Sequence, residues 1–380
     1  MNITAAVLGA MGAESPYAQS TPLVIEKLLL DAPGPGEVLV RIKAAGLCHS
    51  DLSVINGNRP RPTPMALGHE AAGIVEEVGP VEGEAGGSDL RPGDHVVFVF
   101  VPSCGHCEPC TEGRPALCEP GAAANTAGTL LSGAYRLHRS DGTPVHHHLG
   151  VSAFADYATV SRRSLVKIDP ELPFEEAALF GCAVLTGVGA VVNTARVPAG
   201  SAVAVVGLGG VGLSSLLGAV AAGARQVVAV DLSDEKLSLA RDLGATMTVN
   251  ARDPDAADQI RAASHGGVEY AFELAGSTRA LDLAFRITRR GGTTVTAGLP
   301  PPTATLALAP VTLVAEERTL KGSYIGTAVP SRDVPRYIEL YQRGRLPVDR
   351  LMTGTLSLDE VNDGFDRLHD GVAIRQVIVL

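Results

Sequence analysis

The chain has 380 residues, of which 46% are hydrophobic and 19% charged, and its formal net charge at pH 7 is −10. This length and composition predict two or three domains with enough apolar surface to fill packed cores. The net negative charge and the lack of a clustered Lys/Arg stripe argue against nucleic-acid binding. No Lys or Arg precedes Lys27, so the N-terminus lacks the basic start of a signal peptide.

Short β-branched runs that end at Gly or Pro occupy the first 183 residues or so. Two of them are Gly36–Ile42 and Gly73–Gly79. Such runs predict the strands of a β-rich domain. The segment Glu82–Ser88 is small and polar, which predicts a loop.

Strands alternate with helices between about Ala183 and Tyr324. The candidate strands are Ala202–Val206, Gln226–Val230, Tyr270–Phe272 and Thr293–Ala297, and candidate helices are Gly212–Ala222 and Asp234–Leu243. This alternation predicts a parallel, doubly wound α/β sheet. After about Ile325 the pattern predicts a helix over Pro335–Arg343 and a final strand over Gln376–Leu380.

The stretch Val197–Ala224 contains no charged residue and is long enough to cross a bilayer. It includes Gly-Leu-Gly-Gly-Val-Gly at 207–212, which would make a poor core for a spanning helix. We therefore predict a strand, a turn and a helix here rather than a membrane segment.

The turn within this stretch has the spacing of a dinucleotide-binding loop. Gly207, Gly209 and Gly212 follow a buried-strand pattern as GxGxxG. The first glycine permits the tight turn, the second lets the backbone approach a pyrophosphate, and the third lets helix pack on strand. Asp231 ends the next predicted strand, where its carboxylate would bind the ribose hydroxyls and repel a 2′-phosphate. The pattern predicts NAD rather than NADP.

Four of the six cysteines form the run Cys104-x2-Cys107-x2-Cys110-x7-Cys118. Thiolates at this spacing can converge on one tetrahedral Zn²⁺, and a site filled by four protein ligands is structural. Buried thiols or disulfides are the alternative, but two-residue gaps disfavour disulfides among such neighbours. In a chain of this size, the cysteine usage indicates a reducing, cytoplasmic compartment.

The other two cysteines, Cys48 and Cys182, flank His69 at long range. Together they could form an open zinc site with room for water or substrate. With the four-cysteine site this would give two Zn²⁺ per chain. The spacing alone does not establish it, because each residue is also compatible with an ordinary buried or hydrogen-bonded role.

From residue 36 onward the chain resembles the zinc-dependent medium-chain alcohol dehydrogenases, in the liver-type branch with two zinc ions. The motifs that carry the resemblance are Gly46–Asp51, Gly68-His69-Glu70, the four-cysteine run, Phe180-Gly181-Cys182, the 207–212 loop with Asp231, His146–Gly150 and Ile374-Arg375. The resemblance implies an α/β protein: a β-rich GroES-like catalytic domain over 1–183 and 325–380, and a Rossmann coenzyme domain over 184–324.

The resemblance also implies roles around a catalytic zinc. Cys48, His69 and Cys182 would be its ligands, and Asp51 would orient the ring of His69. The other two implied roles are an acid behind the zinc, Glu70, and the hydroxyl that holds the alcohol proton, Ser50. A solvated loop carboxylate, a surface glutamate and a turn hydroxyl are the ordinary alternatives for Asp51, Glu70 and Ser50.

Further positions match coenzyme contacts of that family. His49 and Arg375 would lie by the pyrophosphate, Thr186 and Val211 behind the nicotinamide, and Lys236 near the adenosine ribose. The turn 207–212, including Gly210 and Val211, would carry the phosphates. Core packing for the small residues and solvation for the lysine are the alternatives.

The substrate pocket departs from the family pattern. Phe100 matches a pocket aromatic, whereas His148 stands where relatives usually have an aromatic wall, so it indicates either a polar substrate or a hydrogen-bonded neighbour. Arg59 and Arg61 stand where glutathione-dependent formaldehyde dehydrogenases place acids; they would attract a carboxylate or phosphate, unless they are simply solvated. Ser53 replaces a common relay histidine and cannot act as a base near neutral pH.

The prediction is therefore an NAD-dependent zinc alcohol dehydrogenase or aldehyde reductase, which interconverts an alcohol and an aldehyde or ketone by hydride transfer while zinc polarises the substrate oxygen. The resemblance further implies a homodimer. Three alternatives remain: a glutathione-dependent formaldehyde dehydrogenase, a polyol dehydrogenase (in which an acid commonly stands at the position of Cys182), and a non-catalytic NAD-binding relative.

Overall fold

A computed structural model of the chain describes residues 1–80 and 90–380, so the predicted loop Glu82–Ser88 lies outside the described residues. Contacts divide the chain into two compact units. Unit 1 comprises Met1–Cys182, Val329–Pro335 and Asp349–Leu380, and unit 2 comprises Ala183–Ala328 and Arg336–Val348.

Strands and helices make up most of both units. In chain order, the strands are β1 (Asn2–Leu8), β2 (Leu23–Leu30), β3 (Glu37–Gly46), β4 (Met65–Ala66), β5 (Glu70–Val78), β6 (His95–Phe98), β7 (Leu137–His138), β8 (Pro144–His147), β9 (Tyr157–Ser161), β10 (Leu165–Lys167), β11 (Ala202–Val206), β12 (Gln226–Asp231), β13 (Met247–Asn250), β14 (Val268–Glu273), β15 (Thr288–Thr296), β16 (Thr319–Gly322), β17 (Met352–Leu356) and β18 (Arg375–Val379). The α-helices are α1 (Tyr17–Ser20), α2 (His49–Ile55), α3 (Glu108–Thr111), α4 (Glu119–Ala127), α5 (Phe174–Ala178), α6 (Ala183–Gly189), α7 (Gly210–Ala221), α8 (Asp234–Asp242), α9 (Ala256–Ala263), α10 (Thr278–Ile287), α11 (Pro310–Glu316), α12 (Pro330–Gln342) and α13 (Val361–His369).

Unit 1 is rich in β-structure, as predicted. The strands β1, β2, β7, β8 and β4 close a small barrel, whose core includes Ile3, Leu28 and Val145. A second sheet has the order β10-β6-β5-β3-β18-β17, and β9 pairs with β3. The predicted runs Gly36–Ile42 and Gly73–Gly79 lie largely in β3 and β5, and most side chains of both strands are buried.

Two strand pairings in unit 1 position the residues of interest. The antiparallel pairing of β3 with β5 sets Gly46 opposite Glu70, so the residues just after β3 lie beside those just before β5. The antiparallel pairing of β18 with β3 sets Val377 opposite Gly46, which brings the start of β18 to the same end of the sheet. Residues from three distant parts of the chain therefore meet there.

Unit 2 contains a parallel sheet with the order β13-β12-β11-β14-β15-β16. This is the strand order of a doubly wound dinucleotide-binding fold, in which the chain starts at the centre and winds outward on both sides. Every residue of β11 is buried, as its continuous apolar run predicts. The predicted Rossmann architecture is confirmed.

The uncharged stretch Val197–Ala224 forms β11, a turn and α7, so the prediction of strand, turn and helix is confirmed. Among the described residues, none of the helices is by itself both long and apolar enough to cross a membrane. Phe174–Gly181 and Ala183–Ala195 meet that length and composition only as a pair with a sharp bend between them.

The predicted helix Pro335–Arg343 begins earlier in the structure. It starts at Pro330, and Pro335 lies inside it. Proline is favoured at the first position of a helix, because the backbone N–H there has no partner within the helix. For this reason the sequence pattern favours Pro335 as the first residue. In the structure Asp333 accepts a hydrogen bond from the N–H of Val329 at 2.9 Å. This bond satisfies the backbone N–H of the residue directly before the helix.

Candidate active site

The residues Cys48, His69 and Cys182 come together at the end of the unit 1 sheet. Cys48 lies between β3 and α2, His69 immediately precedes β5, and Cys182 follows a 3-10 turn over Leu179–Gly181. Glycines permit these close approaches. Gly68 has φ +89° and a Cβ there would lie 2.5 Å from the backbone nitrogen of Phe154, while a Cβ at Gly181 would lie 2.0 Å from the carbonyl oxygen of Phe98.

The side chains of Cys48, His69, Cys182 and Glu70 form a buried cluster. One donor atom from each lies within 4.8 Å of the others, and Nε2 of His69 is 3.5 Å from Sγ of Cys182. A hydrogen bond from Cys182 lowers the pKa of the Cys48 thiol well below its usual range, aided by Arg375 and His69. The same contact raises the pKa of Cys182. The donor atoms of the cluster therefore lie close enough together for one cation of suitable size to bridge them.

Asp51 lies behind His69 and is fully buried. Its Oδ1 accepts a hydrogen bond from the N–H of Gly68 at 3.0 Å and lies 3.2 Å from Nδ1 of His69. Nδ1 of His148 lies 3.0 Å from the same oxygen. Burial acts to raise the pKa of Asp51, but the charge of His69 and the contacts with both histidines outweigh it and lower the pKa to about 2.

Glu70 and Arg375 form a buried ion pair on another side of the cluster. Nη1 of Arg375 lies 3.2 Å from Oε2 of Glu70 and donates to the carbonyl oxygen of Leu47 at 3.2 Å. Burial dominates and raises the pKa of Glu70 to about 7, although Arg375 acts in the opposite direction. The charges of Glu70, Cys48 and Cys182 raise the pKa of Arg375 despite its burial. Arg375 therefore supplies a permanent positive charge next to the thiols.

The four cysteines between 104 and 118 form a second cluster in unit 1. Their sulfur atoms lie within 4.8 Å of one another, and all are free thiols. Backbone N–H groups point at the sulfurs: that of Cys104 donates to Sγ of Cys118 at 3.1 Å, and that of Cys107 to Sγ of Cys104 at 3.3 Å. Burial acts to raise the pKa of Cys104, but the N–H groups of His106 and Cys107 outweigh it and lower the pKa to about 7.

The glycine loop of unit 2 joins β11 to α7. Gly207 has φ +94°, and a Cβ there would lie 2.6 Å from the backbone nitrogen of Ala275; at Gly212 it would lie 1.8 Å from the carbonyl oxygen of Gly207. A Cβ at Gly209 would meet no protein atom within 4 Å. Packing within the protein thus requires two of the glycines, whereas the space at Gly209 is open to a ligand.

Asp231 ends β12 and accepts three backbone hydrogen bonds. Its Oδ2 binds the N–H of Leu208 at 2.6 Å, and its Oδ1 binds those of Leu232 at 2.8 Å and Ser233 at 3.0 Å. The carboxylate is therefore fixed against the glycine loop. A carboxylate offers about four lone-pair positions, so acceptor capacity remains beyond these bonds.

Comparison with known proteins decides the family. A family model described as "Alcohol dehydrogenase GroES-like domain" matches residues 34–170, and one described as "Zinc-binding dehydrogenase" matches residues 210–343. The S-(hydroxymethyl)glutathione dehydrogenase of Paracoccus denitrificans is 37% identical over 372 residues, which cover 94% of this chain and 96% of that protein.

The chain belongs to the zinc-dependent medium-chain alcohol dehydrogenase family. Solved structures agree. An alcohol dehydrogenase zinc-binding domain protein from Burkholderia ambifaria is similar with a TM-score of 0.93 at 36% identity, and the match covers 100% of this chain and 99% of that one. The benzyl alcohol dehydrogenase of Acinetobacter calcoaceticus is similar with a TM-score of 0.91 at 32% identity, again over 100% and 99%.

Within this alcohol dehydrogenase, the remaining predicted site residues lie as follows. Ser50 is half-buried and His49 exposed, both in the first turn of α2. The hydroxyl of Ser53 donates to the carbonyl oxygen of His49 at 2.7 Å. Phe100 packs edge-on against the ring of His69 with centroids 5.2 Å apart. The residues of unit 2 are Thr186, buried in α6, Gly210 and Val211 at the start of α7, and Lys236 in α8.

Two features of the dehydrogenase site have no signature in the sequence. The contact between Asp51 and His148 joins residues on separate elements, and no spacing rule connects them. The pairing of Arg375 with Glu70 spans 305 residues and depends on β18 lying beside β3. The available signal is His148 itself, whose position indicates either a polar substrate or a hydrogen-bonded neighbour; in the structure its Nδ1 lies 3.0 Å from Oδ1 of Asp51.

Proposed function

We propose that this dehydrogenase oxidises an alcohol to an aldehyde or ketone, or runs the reverse reaction, with NAD as coenzyme and two Zn²⁺ per chain. The observation that carries the proposal is the buried cluster of Cys48, His69 and Cys182, whose donor atoms lie within 4.8 Å of one another. Two thiolates, one imidazole and an open position form the donor set of a catalytic zinc site in alcohol dehydrogenases.

The donor set fits zinc in detail. Asp51 would accept a hydrogen bond from the protonated Nδ1 of His69. The other ring nitrogen, Nε2, faces Cys182 and would then be free to bind the metal. Arg375 offsets the negative charge that two thiolates bring into a dry pocket, and Glu70 in turn partners Arg375. A bound zinc would supply Lewis-acid chemistry by polarising the substrate oxygen.

The chain's own residues would then handle the substrate proton. Ser50 would hold the hydroxyl proton of the alcohol from the first turn of α2. Ser53 is a poor next carrier, because its hydroxyl already donates to the carbonyl oxygen of His49. Phe100 and His148, which pack against the ring of His69, would form part of the substrate pocket.

The second zinc is proposed for the four-cysteine cluster. Its sulfurs accept backbone N–H bonds, which stabilise thiolates as zinc ligands. Because four protein sulfurs would complete the tetrahedron, this site would have no position for substrate and would be structural.

NAD is proposed as coenzyme on the strength of the glycine loop and Asp231. The open space at Gly209 suits the approach of a pyrophosphate to the N-terminus of α7. The fixed carboxylate of Asp231 would bind ribose hydroxyls and repel a 2′-phosphate. The other proposed contacts are those carried by the family resemblance: His49 and Arg375 to the pyrophosphate, Thr186 and Val211 to the nicotinamide, and Lys236 to the adenosine ribose.

Glutathione-dependent oxidation of formaldehyde is the second candidate, favoured by the similarity to the Paracoccus denitrificans enzyme. Arg59 and Arg61 disfavour it, because positive charges would repel the glutathione amine. The charge of Arg61 reaches the pocket, where it contributes to a lowered pKa of His148 after the larger effect of burial.

The experiment is NADH formation by the zinc-loaded protein with aliphatic, benzylic and carboxylate-bearing alcohols, and with formaldehyde plus glutathione. Turnover of a free alcohol that is lost in Cys48→Ala supports the main proposal. Turnover only with glutathione supports the second candidate. No turnover with any of them, in protein that binds zinc and NAD, would contradict both.

We also propose a cytoplasmic homodimer with a catalytic domain over 1–183 and 325–380 and a coenzyme domain over 184–324. Strand β16 forms an edge of the unit 2 sheet, and an unpaired edge is a site for a second chain to pair. On nearby α11, Val311 and Val314 are 69% and 79% exposed, as apolar residues of an interface would be in a single chain. Analytical ultracentrifugation would test the oligomeric state, and a monomer would contradict the proposed dimer.

A further inference from the structure

Asp51 lies between two buried histidine rings. Nδ1 of His69 is 3.1 Å from its Oδ2, and Nδ1 of His148 is 3.0 Å from its Oδ1. None of the three side chains is more than 2% exposed. The two rings meet edge to face with centroids 5.4 Å apart. One carboxylate thus faces the same ring nitrogen of two histidines, only one of which belongs to the proposed zinc ligands.

The backbone fixes His148 for this contact. Its N–H donates to Oγ of Ser152 at 2.9 Å, and that hydroxyl donates to the carbonyl oxygen of Ala66 at 2.8 Å. Leu149, the next residue, has φ +54°, so the chain turns sharply just after the histidine. The backbone of His148 is therefore tied to that of β4, at a place from which its ring reaches Asp51.

Nδ1 of His148 is buried and, within the described residues, forms no hydrogen bond of good geometry. The carboxylate of Asp51, with its Oδ1 3.0 Å away, is the acceptor that this nitrogen faces. A buried N–H without an acceptor carries the full cost of having lost its water. The tautomer that carries the proton on Nδ1 removes this cost by donating to the carboxylate.

We propose that His148 is a positioning residue for the zinc ligand His69 and acts through Asp51. Its Nδ1–H donates to one carboxylate oxygen, so Asp51 is held from two sides and from the N–H of Gly68. A carboxylate held in this way keeps the proton of His69 on Nδ1 and fixes the plane of that ring. His148 is thus part of the support of the metal site in addition to being a pocket wall.

The expected loss of zinc affinity can be estimated from other proteins in which a group that orients a metal ligand was removed. Removal of a group that orients a ligand typically lowers metal affinity about 10- to 100-fold. His148 acts one step further from the metal than Asp51, so we expect the lower end of that range, about 10-fold.

The test compares His148→Phe with His148→Asn in the full-length chain. Phenylalanine keeps the ring and its packing but cannot donate to Asp51. Asparagine is smaller but places an amide N–H near the position of Nδ1. Affinity for the exchangeable zinc is measured by competition with a chelator, and the ligand field by the visible spectrum after cobalt substitution at the same site.

We expect His148→Phe to bind this zinc about 10-fold more weakly, with a shifted cobalt spectrum, and His148→Asn to stay within about 2-fold of the parent. If the ring only packs, His148→Asn should bind zinc more weakly than His148→Phe, and that result overturns the proposal. An equal loss of zinc affinity in both variants, or no loss in either, also overturns it. His148→Gln, whose amide reaches the position of Nε2 instead, repeats the comparison with Asn should the Phe variant fail to fold; Gln weaker than Asn supports the proposal, and Gln equal to Asn contradicts it.

This inference rests on the proposed catalytic zinc, and a control separates the two. Cys48→Ala should bind one zinc fewer per chain than the parent protein. If the zinc count does not change, the proposed zinc site is wrong. If the zinc count falls by one but the His148 variants do not differ in zinc affinity, only the role of His148 is wrong.

Discussion

The two cysteine clusters of unit 1 offer the same kind of donor atom in opposite settings. The cluster Cys104–Cys118 comes from one short segment, and Cys107 and Cys110 are only partly buried. The cluster around Cys48 draws on three distant segments and is buried. Backbone N–H groups surround the first set of sulfurs, whereas charged side chains surround the second.

This difference matches the two proposed roles, a structural zinc site for the first cluster and a catalytic zinc site for the second. In the first cluster, despite burial, backbone N–H groups lower the pKa of Cys104 to about 7, whereas burial raises the pKa of Cys118 and raises that of Cys110 to about 12. The cluster would therefore depend on a metal ion to hold all four sulfurs as thiolates. A pocket that handles protons and charge needs balancing groups, and Asp51, Glu70 and Arg375 provide them around the cluster of Cys48. Substitutions at the two clusters should therefore fail in different ways.

The largest effect is expected for Cys48→Ala. Loss of this proposed ligand of the catalytic zinc would remove Lewis-acid stabilisation of several kcal/mol, so kcat/KM should fall about 1,000-fold or more. The melting temperature should change by only a few degrees, because Glu70 keeps its ion pair with Arg375 and Asp51 keeps its contact with His69. Steady-state kinetics and thermal melts check both. A variant with nearly full activity would remove the distinction between the clusters.

The matched substitution Cys107→Ala should show the opposite pattern. Cys107 is a proposed ligand of the structural zinc, and loss of such a ligand is among the changes that destabilise most, so we expect a cost of about 3 kcal/mol or more. Activity measured well below the melting temperature should stay within about 10-fold of the parent. A Cys107→Ala variant that keeps its stability and loses turnover would show that the roles of the two clusters have been exchanged.

A third polar site, in unit 2, extends the comparison. Asp231→Asn keeps a side chain that can accept backbone N–H bonds but removes the charge proposed to exclude a 2′-phosphate. The preference for NAD over NADP, as a ratio of kcat/KM values, should fall about 10- to 100-fold, which corresponds to about 1.4–2.7 kcal/mol. An unchanged ratio would mean that Asp231 serves only the loop it fixes.

An effect of about the same size, on stability rather than coenzyme choice, concerns two neighbouring histidines of unit 1 with different surroundings. His148 faces a carboxylate, whereas Nε2 of buried His147 accepts the backbone N–H of Arg136 at 3.1 Å. Burial, with smaller contributions from His146, Arg136 and His138, lowers the pKa of His147 to about 3. Its folded pKa lies below the unfolded value of about 6.5, so its contribution is complete above about pH 6.5 and is lost as pH falls toward 3.

At about pH 5 this loss would amount to about 2 kcal/mol, from about 1.36 kcal/mol per pH unit below about 6.5. His147→Gln keeps an acceptor for the N–H of Arg136 and cannot take up a proton. Between about pH 7 and pH 5 the parent should therefore lose about 2 kcal/mol more stability than His147→Gln, as measured by chemical unfolding at both pH values. Equal losses would assign the acid sensitivity to other groups.

The sequence predicts sites made of neighbouring residues well, and sites made of residues far apart in the chain poorly. Cys104–Cys118 and the glycine loop are encoded in adjacent residues, so spacing alone pointed to a cluster of thiols and to a strand, turn and helix. The β12 strand ends at Asp231 as its position suggested. The site around Cys48 was accessible only through resemblance to a family, because its spacing is not diagnostic.

The contacts that no pattern predicted depend on strand register and loop path. Glu70 meets Arg375 because β3 lies between β5 and β18, and a sequence does not state which strands are neighbours. Asp51 in α2 meets His148, which lies almost 100 positions later in the chain and directly before a sharp turn at Leu149. The predicted start of α12 was wrong for a local reason, since two prolines compete for the first helical position and only Pro330 occupies it.

The pairing of β18 with β3 has a consequence for the order of events during synthesis. Arg375 is translated more than 300 residues after Leu47, whose carbonyl oxygen it binds. Domains fold as units as the chain emerges from the ribosome, and the parallel sheet of unit 2 is complete once β16 has emerged. A nascent chain can therefore finish its coenzyme-binding sheet while the thiols of Cys48 and Cys182 still lack their arginine. A ribosome-stalled chain that ends before β18 should accordingly protect unit 2 from protease and leave Cys48 open to alkylation.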